Sequence, residues 1–279
     1  MSKPNLFAFA KANDADYPAR LDDKLSTLST AHRASAQDFC AAVDSHGTVS
    51  INMFSQKFQA TLERGHFLSM LEYADYKVEK RGISHDEALR EQGVYGPPRM
   101  AFESHFEDGH LFRYGALNIG GIGPPYYGTF CAVLKPSVVH SLPCAYFPDD
   151  SLKRYVPNWA TPRVDEAATQ SEAASPSSRG ILATLKHAPE LHSKPTTAWP
   201  QMLCRDDCYV EAVFVGEISP VSIDQIRVDN SELERLFDLF TKEKKGDIKD
   251  QDEKKAAREF VEIMKLLVKH GLDQLLVGV

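Results

Sequence analysis

Glu211 is the residue whose neighbours most clearly raise a chemical question. It lies in Tyr209-Val-Glu-Ala-Val-Phe-Val-Gly216, a run that is otherwise apolar and has strand composition. A carboxylate without a partner inside such a strand is costly. Alternation puts Tyr209, Glu211 and Val213 on one face and Val210, Ala212 and Phe214 on the other. Two accounts fit. On an edge strand Glu211 faces solvent, the commoner arrangement for a charged strand residue; in a covered sheet it belongs to a site. Two further segments carry polar groups beside aromatic ones. Asn52-Met-Phe-Ser-Gln-Lys-Phe-Gln-Ala-Thr61 reads as a helix with Ser55, Gln56 and Gln59 near an aromatic face. Leu111-Phe-Arg-Tyr-Gly-Ala-Leu-Asn118 leads through a Gly/Pro turn into Tyr126–Leu134.

Other chemistry finds little support. The chain has no GxxxxGK(S/T) phosphate loop and no GxGxxG, HExxH or GxSxG. Asn118–Gly123 is glycine-rich but wrongly spaced for a dinucleotide fingerprint, so a tight turn is expected there. Cys204-Arg-Asp-Asp-Cys208 offers two zinc ligands with no second pair to complete a structural site, and ordinary thiols without metal are expected. His105-Phe-Glu-Asp-Gly-His110 reads as a solvated acidic loop. The run Lys242–Lys255 mixes both signs of charge and reads as a solvated helix junction.

The elements that must position these residues follow from periodicity. Residues 1–30 are polar and interrupted by Pro18, which suggests a loosely attached arm. From Ala31 to Leu89 the three- and four-residue spacings of Phe54, Phe58 and Leu62, and of Leu68 and Leu71, predict helices. Gly65 and Gly82 suit helix ends, and Ser84 with Glu87 opens a short helix to about Arg90. Gly93–Pro98 is loop chemistry. Leu111–Leu117, Tyr127–Leu134, Tyr209–Val215 and Ile223–Val228 predict strands. Residues 157–180, rich in Ser, Ala and Pro, read as a mobile insertion. Ser231 with Glu234 opens a helix carrying Leu233, Leu236, Phe237 and Phe240. A last helix carries Phe260, Ile263 and Leu267 and ends at Gly271. The expected fold class is α/β of the α+β type, with a mixed split sheet around a cleft, a helical N-terminal region and a C-terminal helical cap. The expected organisation is an arm over 1–30, a domain over 31–230 and C-terminal helices over 231–279.

The 279 residues suffice for a sizeable core, and 43% hydrophobic with 25% charged residues is ordinary globular composition. A net charge of −7 argues against general nucleic-acid binding. Five scattered cysteines are no disulfide framework and suit a reducing compartment. The apolar run Leu6–Ala10 is too short for a signal peptide core or a membrane span. A cytoplasmic protein is expected, or one delivered into a target cell without a cleavable signal.

The runs RYGALNIGG, PYYGTFCAVLKP and YVEAVFVGEIS, with SQKFQAT upstream, together resemble a bacterial domain family of unknown function that looks like a divergent branch of the ADP-ribosyltransferase superfamily. The matching stretches fall between Phe54 and Val228, most of the chain. The resemblance implies a sheet around an NAD cleft, with Glu211 as the catalytic carboxylate and Arg113, with Tyr127 or Thr129, as the NAD-binding residues. It implies transfer of ADP-ribose from NAD, used as substrate and without metal, to a macromolecular acceptor such as a protein, as in a bacterial effector or toxin. The alternatives are a non-catalytic interaction module that retains the fold, and an NAD glycohydrolase. The chemistry suits these residue types: breaking the nicotinamide–ribose bond develops positive charge on the ribose, as in glycoside cleavage, and a carboxylate held in a dry site stabilises it. Tyr209 stands where arginine-modifying members carry a second Glu or Gln, so an arginine acceptor is not implied, and the second strand carries no clear Ser-Thr-Ser, which leaves open an inactive, NAD-binding or degenerate member.

Overall fold

The computed structural model of the chain describes residues 2–206 and 208–279. The first residues are not a loose arm. Asn5 caps α1 (Leu6–Ala12) by accepting from the Ala8 amide, and α2 (Tyr17–Ser26) follows with Pro18 in its first turn, where a missing N–H does no harm. Leu6, Ala10, Tyr17 and Leu25 are buried in the main cores, and the Tyr17 hydroxyl donates to the Glu172 carbonyl. Helix α3 (Thr30–His46) leads into β1 (Thr48–Met53), a strand inside the region where the spacing predicts helices alone. After it come α4 (Ser55–Arg64), α5 (Met70–Arg81), α6 (His85–Arg90) and α7 (Gly96–His105). Gly65 and Gly82 end α4 and α5 in left-handed geometry, as their positions suggested. A capping box of Ser69 and Glu72 opens α5. Gly93–Pro98 is not a plain loop: Pro97 and Pro98 start α7.

The remaining strands are β2 (Arg113–Asn118), β3 (Phe130–Leu134), β4 (Cys144–Phe147), β5 (Glu211–Phe214), β6 (Ile223–Val228) and β7 (Leu276–Gly278), with the short helices α8 (Pro136–Val139) after β3 and α12 (Trp199–Met202) before β5. They form one continuous seven-stranded mixed sheet in the order β4-β5-β2-β1-β3-β6-β7. All pairs are antiparallel except β6 with β7. The fold is α+β, and any cleft opens on a face of an unbroken sheet instead of between two halves.

The two faces differ in composition. Register and alternation put Val49, Ile51, Met53, Leu117, Ala132, Ala212 and Phe214 on one face. These pack in one large core with α3, with α4, with α11 (Arg179–Leu191) and with α14 (Gln251–His270). The other face carries Thr48, Ser50, Asn52, Tyr114, Ala116, Asn118 and Glu211. Over β4 and β5 it is covered by α1, by Phe102 of α7 and Phe106 just after it, and by Leu152 and Tyr155 of α9 (Ser151–Tyr155). Its polar centre is left for a cavity.

Residues 157–180 are not a loose insertion throughout. After exposed residues near 157–163, α10 (Glu166–Glu172) forms, Thr169, Ala173 and Ala174 are buried, and Ala174 bridges to Tyr146. At the C-terminal end, α13 (Asn230–Lys245) is capped by Asp229 and pairs with α14, which ends at Gly271 as expected. No helix is long and apolar enough to cross a membrane among the described residues.

Candidate active site

The cavity measures about 630 Å³, within the roughly 300–1,000 Å³ typical of small-ligand sites. Its floor is the polar sheet face at Ser50, Asn52, Tyr114, Ala116 and Glu211. Its walls come from α4 (Lys57), from Tyr73 of α5, from Tyr95 and Arg99 at the start of α7, and from Pro124–Tyr127.

The sheet itself builds the last of these walls. The Asn118 side chain accepts from the Gly120 and Gly121 amides and donates to Ser50 and to the Gly121 carbonyl. Asn52 donates to the carbonyls of Ile122 and Gly128. The glycine-rich stretch is thus a tight turn, as expected, pinned to the sheet from below. Gly128 has φ 138°, and a Cβ there would lie 2.0 Å from the Met53 carbonyl carbon. Only glycine fits, because the loop backbone crosses the end of β1.

Glu211 is 2% exposed on a strand flanked by β4 and β2, so the solvent-facing edge-strand account does not hold. Its Oε2 accepts the Ser151 amide at 2.9 Å. Burial, and then the charge of Asp150, push its carboxyl up to about 8, while Arg99 and Ser151 pull the other way. Asp150 is itself buried and caps α9 through the Leu152 and Lys153 amides. The Tyr127 hydroxyl donates to Asp150 at 2.7 Å and lies 2.9 Å from the Tyr209 hydroxyl. Tyr127 therefore does line the cavity, with its hydroxyl held and its ring set edge-on to Tyr209. It belongs to a short helical turn before β3 and not to the strand.

The other expected binding residues are placed differently. Arg113 pairs with Phe214 in the register, on the face opposite Glu211. It contributes to the cavity wall, but Nε donates to the Phe67 carbonyl, Nη1 to Leu111 and Nη2 to Glu72. A guanidinium engaged in this way ties β2 to α5, so the structure gives Arg113 a tying role in place of a free clamp. Thr129 is not among the lining residues, and neither are Ser55 and Gln59; Gln56 is, although it also donates to Glu259.

Arg99 supplies the missing cation. Its guanidinium lies 3.7 Å from the centroid of the Tyr114 ring, and its buried Nη1 has no hydrogen-bond partner. The Tyr114 hydroxyl is also buried without one. Burial disfavours the charge on Arg99, but Tyr114, Glu211 and Glu103 outweigh it and hold the guanidinium charged. Lys57 is half-buried, and desolvation followed by repulsion from Arg99 pushes its ammonium down to about 8. Beside them, burial pushes the Glu103 carboxyl up to about 7 against the pull of Arg99. Buried polar atoms without partners are uncommon, and both Arg99 and Tyr114 also line the cavity. In the sequence, the signal for Arg99 was the pair of prolines that begin its helix.

Comparison of the chain with family models, with curated proteins and with solved structures finds no match in any of the three.

Proposed function

We propose that the cavity binds NAD and that Glu211 promotes cleavage of its nicotinamide–ribose bond, with ADP-ribose passing to a macromolecular acceptor. The observation that carries this reading is the buried Glu211 carboxyl on the floor of an aromatic cavity that also holds Arg99. The ring system of nicotinamide suits the faces and edges of Tyr95, Tyr126 and Tyr127. The diphosphate suits the positive charges of Arg99 and Lys57, which both line the cavity. As the ribose becomes cationic, the buried Glu211 carboxylate opposes the developing charge. Phe54 and Tyr126 line the cavity yet are 62% and 53% exposed, which suits an acceptor seated over the mouth.

Labelled NAD incubated with the protein and a cell lysate tests this. Label transferred to protein by wild type and not by Glu211→Gln supports the reading. Nicotinamide release without transfer identifies a glycohydrolase instead. Neither transfer nor release, with no NAD binding by calorimetry, removes the enzyme reading and leaves the interaction module.

A further inference from the structure

We infer that Lys57 forms an imine with an aldehyde or ketone that carries an anionic group. This chemistry goes beyond NAD cleavage and needs neither NAD nor Glu211. Lys57 lines the cavity from the first turn of α4. Among the described residues it makes no hydrogen bond or ion pair; its ammonium lies over the Tyr73 ring, 5.9 Å from the centroid. The nearby cations are held otherwise. Lys77 pairs with Glu91 at 3.0 Å, Arg113 with Glu72 at 3.0 Å, and Arg99 sits on the Tyr114 ring.

Position explains why the charge on Lys57 is disfavoured. No side chain caps α4, so its first-turn amides turn the positive end of the helix toward this residue. Arg99 of α7, Arg113 of β2 and Lys77 of α5 add positive charge around it, and Glu103 of α7 opposes them. Desolvation first, and then Arg99, push the ammonium from 10.5 down to about 8. Near pH 7.5 the neutral amine is therefore more than about 100-fold more abundant than on an ordinary lysine. A lysine desolvated beside a second cation is the kind that attacks carbonyl carbon. The neutral amine adds to the carbonyl, a proton passes from nitrogen to oxygen, and the carbinolamine loses water as the C=N bond forms. Water is the leaving group, and nothing is oxidised or reduced. The charged Arg99 guanidinium lines the same cavity and suits a phosphate or carboxylate on the carbonyl compound.

The test uses pyridoxal 5′-phosphate, an aldehyde with a phosphate, at one equivalent to the full chain near pH 7.5, with pyridoxal as the comparison. Borohydride traps the imine, and peptide mass spectrometry locates it. The expected result is an imine absorption band, with label on Lys57 at least about 10-fold above any other lysine. Lys57→Met should lose the band. Wild type should prefer the phosphorylated aldehyde, and Arg99→Gln should lose that preference. No band in wild type, label spread evenly over the lysines, an undiminished band in Lys57→Met, equal labelling by the two aldehydes, or a preference kept by Arg99→Gln would each overturn the proposal. The wild-type map decides the matter even if a variant fails to fold. The assay contains no NAD, so its failure is distinct from failure of the NAD reading.

Discussion

Glu211 has a definite pH signature. Its ordinary value is 4.5, and in the folded chain it titrates at about 8. Between those values the unfolded chain has released a proton that the folded chain keeps, so stability present below pH 4.5 is lost as pH rises to 8. Glu211→Gln removes this penalty while its side-chain oxygen can still accept from Ser151. The variant should match wild type near pH 4 and be more stable by about 2–4 kcal/mol at pH 8, since a tenfold change in proton affinity corresponds to about 1.36 kcal/mol. Denaturant melts at the two pH values check this, and equal stability at pH 8 would show that the carboxyl is not strained. If the carboxylate form is the active one, kcat/KM should rise with pH and level off above about 8. Two arginines should separate cleanly. Arg99→Gln should weaken NAD binding by about 10- to 100-fold, the scale of one hydrogen bond to a charged group, with little change in stability. Arg113→Met should do the reverse and destabilise by about 2–4 kcal/mol, because it leaves the Phe67 and Leu111 carbonyls and Glu72 without their donor. Calorimetry and urea unfolding on both variants would expose a reversed pattern. The sequence made Glu211 conspicuous because charge interrupts an apolar run. It could not show which way Arg113 points relative to it, since that depends on register across β2 and β5.

At the scale of elements, legibility followed length and neighbours. The C-terminal helices were readable because Phe260, Ile263 and Leu267 recur over a twenty-residue helix, and Gly271 stops it. β6 was readable end to end. The central strand β1 was missed although Thr48-Val-Ser-Ile-Asn-Met53 alternates perfectly, because helical spacings flank it on both sides. β4 has four residues, too few for a period to emerge. The segment 157–180 misled because its Ser and Ala content resembles a linker, whereas its alanines are small enough to be buried against β4. Amide exchange should therefore be fast over 157–163 and slow over 169–180. Uniformly fast exchange through Ala174 would contradict the packing. Ser69→Ala, which removes half of the capping box of α5, should lower stability by about 1 kcal/mol in thermal or urea melts.

For the whole molecule, composition indicated a large core and gave no warning that the N-terminal helices belong to it. Tyr17 and Leu25 sit in the same core as the sheet, and Leu6 and Ala10 pack with Phe102, Phe112 and Phe147. Deleting residues 2–26 should leave the chain insoluble or without a cooperative melt; a deletion that melts as wild type does would restore the arm. What positions the cavity is likewise global: α7 brings Arg99 over Tyr114, the Asn118 turn brings Tyr127 to Asp150, and β5 sets Glu211 beneath them. These contacts join residues far apart in the chain, and no local pattern encodes them. The central claim, that Glu211 opposes charge developing on the ribose of bound NAD, is tested most directly by single-turnover release of nicotinamide from NAD at saturating protein, wild type against Glu211→Gln. The account predicts release by wild type and a roughly 100- to 1,000-fold slower rate in the variant, about 2.7–4 kcal/mol, with NAD affinity little changed. Equal rates in the two proteins, or no release by wild type, would contradict it.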